Sequence, residues 1–164
     1  MGYRTVLEAN PETVQDLELS AAQRLDEALE LYVAGKNHAA IYLAGLSAEM
    51  YLKTACFFLG GAAPADDVDG LLAAVRPGKR YAPSFTADFE SGHGLWFWAQ
   101  ELIDRRRKKG LRRQPNRFAQ VAAALCLDWY VGMRYRPGMA TPEMAGQFIA
   151  YVEWLARNYV LLRR

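Results

Sequence analysis

The feature that most constrains the fold is a 23-residue, largely apolar stretch, His38–Gly60, which reads "HAAIYLAGLSAEMYLKTACFFLG". Its length would permit a membrane span, since about 20 apolar residues cross a bilayer. Two charged residues, Glu49 and Lys53, lie near its centre. Each would cost about 2.5–3.5 kcal/mol inside a bilayer. Because no second candidate span exists, the stretch predicts a core helix of a soluble protein.

The polar residues of this helix share one side. At 100° per residue, His38, Tyr42, Glu49 and Lys53 fall within about 60° of one another. The rest of the circumference is apolar or small, which is typical of a helix buried on most sides. Such a helix is central to a bundle or lies in a dimer interface. The polar stripe is either a narrow solvated seam with a Glu49–Lys53 ion pair or a seam at a ligand-binding cleft.

Helical spacing of apolar residues continues through the chain, and neither strand-like alternation nor a repeat is present. We expect a first helix over about residues 12–34, closed by Gly35, and a second helix capped by Asn37. A long connection, residues 61–92, contains one short helix capped by Asp66.

Three more helices follow. The third begins after Gly92, the fourth runs from about Asn116 to Pro137, and the last starts at Thr141–Pro142. Their expected inward faces are Leu95, Trp98, Ala99, Leu102, Ile103 and Arg106; Phe118, Val121, Ala122, Leu125 and Trp129; and Met144, Phe148, Tyr151, Val152, Leu155, Tyr159 and Leu162. The fold class is therefore all-α: one domain over residues 1–164, an up-and-down bundle of four to five long helices with its core over about 12–162.

Charge is distributed unevenly. Residues 1–90 carry 7 Lys+Arg against 13 Asp+Glu, a balance of −6, and residues 91–164 carry 13 against 5, a balance of +8. This split suggests an acidic partner for one end, or head-to-tail complementarity in an assembly. Eight of the 20 cations lie between Arg105 and Arg117. This run is either a solvated helix end or a phosphate-binding patch with only Phe118 nearby for stacking, and its candidate residues are Arg105, Arg106, Arg107, Arg112, Arg113 and Arg117.

Motifs of catalysis and cofactor binding are missing. The two histidines and two cysteines have no zinc spacing, and the chain contains no HExxH, ExxH, Walker A or GxGxxG pattern. We therefore expect no metal and no cofactor. Both cysteines fall in apolar helical patterns, which indicates buried thiols in a reducing cytosol. The acidic, polar N-terminus is unlike a signal peptide, so a cytoplasmic protein without membrane contact is expected.

The first two helices resemble those of the HEPN superfamily. The residues that fit its ordered pattern are Arg24, Leu25, Ala28, Leu31, Gly35, Ala40, Tyr42, Ala44, Ala48, Glu49, Leu52, Lys53 and Ala55. "HGLWFWAQEL" is similar to the family's third helix, and "MRYRPGMATPEMAGQFIAYVEWL" is similar to its last two. The resemblance covers about residues 20–160. It implies a HEPN-like bundle of four or five helices that commonly forms homodimers.

The resemblance also implies one of two functions. Catalytic members are metal-independent endoribonucleases, often of toxin–antitoxin systems, and use Arg followed after four to six residues by His. Neither His38 nor His93 has an Arg at that spacing, and no His follows Arg134 or Arg136. The chain is therefore expected to belong to the non-catalytic branch. That branch is associated with nucleotides or nucleic acids, including RNA, and often acts beside a nucleotidyltransferase partner protein.

Five residues are candidates for a binding site: Glu49, Lys53, His93, Arg134 and Tyr135. Arg134 either caps the end of the fourth helix or bonds Glu49, because a buried carboxylate requires a partner. If the seam is accessible, Arg134, Lys53 and His93 could hold a phosphate. Two alternatives stay open: a ribonuclease with a degenerate site built from Arg134, Glu49 and His93, and an oligomeric scaffold without a ligand.

Overall fold

Six helices make up the part of the chain that the computed structural model describes, residues 12–75, 94–111, 117–130, 132–133 and 138–164. No strand occurs within these ranges, where the only β-type pairing is an isolated bridge between Thr13 and Asp67. The prediction of an all-α fold is therefore confirmed. The helices are α1 (Val14–Val33), α2 (Asn37–Leu59), α3 (Val68–Val75), α4 (Leu95–Lys108), α5 (Phe118–Asp128) and α6 (Pro142–Leu162).

Helix α1 begins with a capping box. The Asp16 N–H donates to Thr13 Oγ1 at 3.2 Å, and the Thr13 N–H donates to Asp16 Oδ2 at 3.1 Å. These two bonds satisfy backbone donors that the first turn leaves without partners. Gly35 follows the helix with φ = +71°, a conformation that glycine adopts at low cost, so the predicted stop is confirmed.

Helix α2 is the centre of the bundle, as predicted, and packs against α1, α4 and α6. At its contact with α1, Ser47 of α2 and Ala21 of α1 are both fully buried. Ser47 Oγ donates across this contact to the carbonyl of Ala21 at 2.7 Å. One detail of the prediction is wrong: Asn37 is the first helical residue rather than the cap, and Lys36, at the cap position, makes no side-chain capping bond.

The short helix α3 lies close to the N-terminus of α1. Its start is capped by Asp67, whose Oδ2 accepts from the Gly70 N–H at 2.7 Å. The predicted cap, Asp66, instead accepts from the Ala63 N–H at 2.9 Å and shapes the preceding turn. Residues 76–93, which include the rest of the predicted long connection, lie outside the described residues.

The last three helices present the predicted apolar residues to the core with one clear exception. Met144, expected to face inward, is exposed at the first turn of α6. That turn begins as predicted, with Thr141 as the cap and Pro142 in the first turn. Helix α5 ends earlier than expected, at Asp128, because Trp129 takes an extended conformation with φ = −132° and ψ = 136°.

The two cysteines lie in helices, as their spacing predicted, and neither forms a disulfide. Cys56 is buried and its thiol donates to the carbonyl of Trp98 at 3.5 Å. Cys126 is half-buried, and desolvation raises the pKa of its thiol to about 12. Since the thiolate is the reactive form, burial keeps Cys126 unreactive at neutral pH.

Within the described residues, no helix combines the length and apolar character that a membrane span requires. This result agrees with the interpretation of α2 as a core helix.

Candidate functional site

The two charges of α2 form a buried ion pair. Lys53 Nζ contacts Glu49 Oε1 one helical turn away, and only 3% of Glu49 and 8% of Lys53 remain exposed. The predicted pairing of Glu49 with Lys53 is confirmed. Two charges removed from water destabilise a fold unless each has a partner, so this contact allows an otherwise apolar helix to lie at the bundle centre.

The environment of Lys53 explains why the pair is tolerated. Its ammonium group lies 5.6 Å from the centre of the Trp98 ring on α4, a favourable cation–π distance. Lys53 also acts on Glu12, just before α1: desolvation raises the pKa of Glu12, and the positive charge of Lys53 opposes that rise. The expected solvated seam is therefore wrong at this end of α2, because both charges are buried and the Trp98 ring of α4 lies beside Lys53.

The other end of the polar stripe binds the segment between α5 and α6. His38 Nε2 lies 2.9 Å from the carbonyl oxygen of Met133, so this nitrogen is the donor. Trp129 Nε1 donates to the carbonyl of Tyr42 at 3.1 Å. The Trp129 indole fits because Gly45 has no side chain, and a Cβ there would overlap the ring. His38 and Tyr42 are half-buried and both serve packing contacts.

Three of the five candidate site residues, His93, Arg134 and Tyr135, lie outside the described residues. Of the three residues expected to hold a phosphate, Arg134, Lys53 and His93, the structure therefore describes Lys53 alone. Lys53 is buried and already paired. A phosphate would therefore have to compete with Glu49 for this buried ammonium group.

The basic run divides into two parts, and its first part caps helix ends. Arg105 Nη1 donates to the carbonyl of Cys56 in the last turn of α2 at 2.8 Å, and its Nε donates to Glu101 at 2.6 Å. The guanidinium group lies where a Cβ of residue 60 would be, so Gly60 leaves room for it. A cation at this position also complements the negative end of the α2 dipole.

Arg106 does the same for α6. Its Nη1 donates to the carbonyls of Leu161 and Leu162, both at 2.8 Å, and of Arg164 at 3.0 Å. Only 5% of Arg106 is exposed, and desolvation lowers its pKa. Its inward position was predicted, but its inclusion in the phosphate patch is not supported, because a nucleic-acid backbone cannot reach a guanidinium group covered by α6.

The second part of the run faces solvent. The side chain of Arg107 is 75% exposed and lies 3.7 Å from Asp104, and Lys108 and Lys109 are exposed. We call Arg107, Lys108 and Lys109 the basic end. Arg117 is also exposed, whereas Arg112 and Arg113 lie outside the described residues.

The aromatic neighbour of this region differs from the predicted one. Phe118 is fully buried and offers no surface for base stacking. Arg117 instead lies 5.9 Å from the ring centre of Tyr151 on α6. Arg117 and Tyr151 are 34 residues apart in the sequence, so the spacing of residues within one helix could not predict their contact.

A further polar contact was missed by sequence reasoning altogether. Arg163 donates to Glu18 on α1 at 2.8 Å, and its guanidinium carbon lies 5.1 Å from the Phe58 ring and 5.0 Å from the Tyr159 ring. Arg163, Glu18 and Phe58 border an open groove of about 510 Å³, whose other lining residues are Gln15, Pro64 and Arg164. Since Glu18 and Arg163 are 145 residues apart, only the folded chain brings them together.

Among the described residues, no group of three or more His, Cys, Asp or Glu side chains is placed to hold a metal ion. Comparison of the chain with protein families, with curated proteins and with solved structures gives no match.

Proposed function

We propose that this chain is a non-catalytic, HEPN-like helical module that binds nucleic acid, or the phosphates of a nucleotide, through its basic end. As the resemblance implies, the module acts as a homodimer, and a nucleotidyltransferase is its proposed partner protein. The observation that carries the proposal is the division of the basic run. Arg105 and Arg106 are fixed to the ends of α2 and α6, so the three exposed cations that follow project from an anchored helix end.

The electrostatics of such a cluster favour phosphate. Exposed Lys and Arg side chains bind a nucleic-acid backbone chiefly by releasing its condensed counterions, which makes affinity fall as salt rises. The nearest described carboxylate to Arg107 is that of Asp104, 3.7 Å away on the solvent side, so the local charge stays positive. With Phe118 buried, recognition is expected to depend on charge more than on base stacking.

Fluorescence anisotropy with labelled single-stranded and hairpin RNA tests the proposal. In the triple variant Arg107→Gln, Lys108→Gln, Lys109→Gln, affinity should fall, and the slope of log K against log salt should decrease by about 2, since each phosphate contact on a single strand contributes about 0.7. The matched control is Lys36→Gln, which removes an exposed cation at the other end of α2 from the contact between Arg105 and Cys56. Equal losses in both variants, or an unchanged slope in the triple variant, would refute the basic end as the binding site.

The same RNA, incubated with the protein and analysed on a gel, separates binding from cleavage. We expect intact RNA. The buried, paired state of Glu49 supports a structural role for it rather than a role in proton transfer. Cleavage that disappears in Arg134→Ala would favour the ribonuclease alternative instead.

A further inference from the structure

The outer side of α1 presents an acidic surface that no described element covers. Leu19, Asp26, Glu30 and Val33 follow one another at helical spacing and all face solvent. Leu19 is 62% exposed and Val33 is 86% exposed. We call these four residues the acidic face. Two carboxylates beside two exposed aliphatic side chains make a surface suited to a basic partner that also brings some apolar contact.

The two carboxylates of the acidic face lie far from the basic end on the molecule. The residues Asp26 to Val33 lead into the turn that begins α2, whereas Arg105 is bonded near the other end of α2, at Cys56. The length of α2 between Asn37 and Cys56 is about 28 Å at 1.5 Å per residue. Helix α1 packs on α2 and α6, and α4 packs on α2 and α5, so the two surfaces also belong to different sides of the bundle.

This arrangement rules against one kind of self-association and favours another. A two-fold dimer through α1 would place Asp26 and Glu30 against the same acids of its partner, and like charges in contact repel. Because the two charged surfaces of one copy cannot reach each other, the complement of the acidic face is the basic end of a second copy. The net charge of the chain follows the same order: it is −6 over residues 1–90, which contain the acidic face, and +8 over residues 91–164, which contain the basic end.

We propose that copies of this chain associate head to tail, with the acidic face of one copy against the basic end of the next. Such contacts are heterologous, so each dimer keeps one unused acidic face and one unused basic end. The inference rests on the proposed function in one respect only: if the basic end binds nucleic acid, the nucleic acid competes with the acidic face of another copy for Arg107, Lys108 and Lys109. RNA should therefore shorten the assemblies, and the terminal copy can bind RNA while it stays associated.

Sedimentation velocity on the full-length, nuclease-treated protein tests this interface without RNA. At low salt the wild-type protein should associate as its concentration rises, and raising the salt from about 0.05 M to about 0.5 M should weaken association by about tenfold or more, because the Debye length shrinks several-fold. A protein that stays monomeric at low salt, or an association that salt leaves unchanged, would overturn the proposal.

Charge reversal identifies the two surfaces. Two variants should each lose the salt-dependent association between copies: the acidic-face variant, Asp26→Lys with Glu30→Lys, and the basic-end variant, Arg107→Glu with Lys109→Glu. Mixed in equal amounts the two variants should associate in alternating order, since the native acidic face of one complements the native basic end of the other and the two reversed surfaces are complementary as well. A chain carrying all four reversals should associate again. Arg157→Glu is the matched control and should associate like wild type.

Two results would count against the head-to-tail contact: a mixture of the two variants that stays monomeric, and single-surface variants that still associate. Far-ultraviolet circular dichroism of each variant excludes misfolding, since all four substituted side chains are at the surface. The acidic-face variant keeps its basic end, so its RNA affinity reports on the proposed function separately. Wild-type protein that binds RNA but does not self-associate would refute the head-to-tail contact alone, and wild-type protein that self-associates but does not bind RNA would refute the proposed function alone.

Discussion

Arg106 and Arg107 are adjacent in sequence, carry the same charge and lie in the same turn of α4, yet their environments are opposite. Arg106 is buried and donates to three carbonyls at the end of α6. Arg107 is exposed, and the contact that the described residues give it is a long one, to Asp104. The side of the helix on which a cation falls, and the helix end that it meets, therefore decide whether it stabilises the bundle or remains available to a partner.

Two ion pairs with the same spacing along a helix show the same contrast between a buried and an exposed environment. Glu49–Lys53 and Glu153–Arg157 are both acid-then-base pairs one helical turn apart. The first is buried in the bundle, whereas the arginine of the second is largely exposed. In an isolated helix the two pairs would contribute similarly to helix stability, about 0.2–0.5 kcal/mol each. Inside the bundle, removal of one partner leaves a buried charge, and the cost becomes much larger.

The largest expected effect comes from breaking the buried pair. Glu49→Ala leaves the Lys53 ammonium buried with the Trp98 ring as a remaining neighbour, and we expect it to lower the free energy of unfolding by about 3–5 kcal/mol. Urea denaturation followed by circular dichroism measures the change. Lys53→Met in the Glu49→Ala background should recover part of the loss, because it removes the stranded charge. No recovery would mean that Glu49 stabilises the fold through contacts other than Lys53.

Arg106 and Arg107 offer the most direct comparison. Arg106→Ala removes three hydrogen bonds from a charged donor at the end of α6 and should cost about 2–3 kcal/mol. Arg107→Ala should change stability by no more than about 0.5 kcal/mol, as surface substitutions usually do. The same denaturation assay measures both. Equal effects of the two substitutions would show that the cap contributes no net stability and would remove the basis of the comparison.

A substitution at Gly45 tests how tightly the interior is packed around the hydrogen bond between Trp129 and the Tyr42 carbonyl. Gly45→Ala introduces a methyl group where the Trp129 indole lies, so the ring must move and its bond to the Tyr42 carbonyl is strained. We expect a loss of about 1–3 kcal/mol from overpacking. In a Trp129→Leu background the same substitution should cost less, and this non-additivity is the quantity to measure. Simple additivity would indicate that the two residues do not contact each other.

The smallest effect is expected at the exposed pair. Glu153→Ala leaves Arg157 in water, where it needs no partner, and the change in unfolding free energy should stay within about 0.5 kcal/mol. Thermal denaturation at low and high salt should give nearly the same small difference. A cost close to that of Glu49→Ala would contradict the distinction between the enclosed pair and the exposed one.

The sequence by itself determined the features that depend on neighbours within a turn or two. Helix positions follow from apolar spacing, and the Gly35 stop and the Thr141–Pro142 start depend on local backbone geometry. The Glu49–Lys53 pair was also predictable, because residues four apart on a helix always lie side by side. The caps that were mispredicted, Asn37 and Asp66, each missed by one residue where several polar residues compete for one turn.

Only the tertiary structure decided which of these polar residues are enclosed. The spacing of Glu49 and Lys53 is the same whether the pair faces water or is buried, so helical spacing alone could not show that both charges are buried. The roles of Arg105 and Arg106 depend on where the ends of α2 and α6 arrive, 49 and more than 50 residues away along the chain. Contacts at such separations are set by the packing of whole helices, because side-chain spacing reports only on one helix at a time.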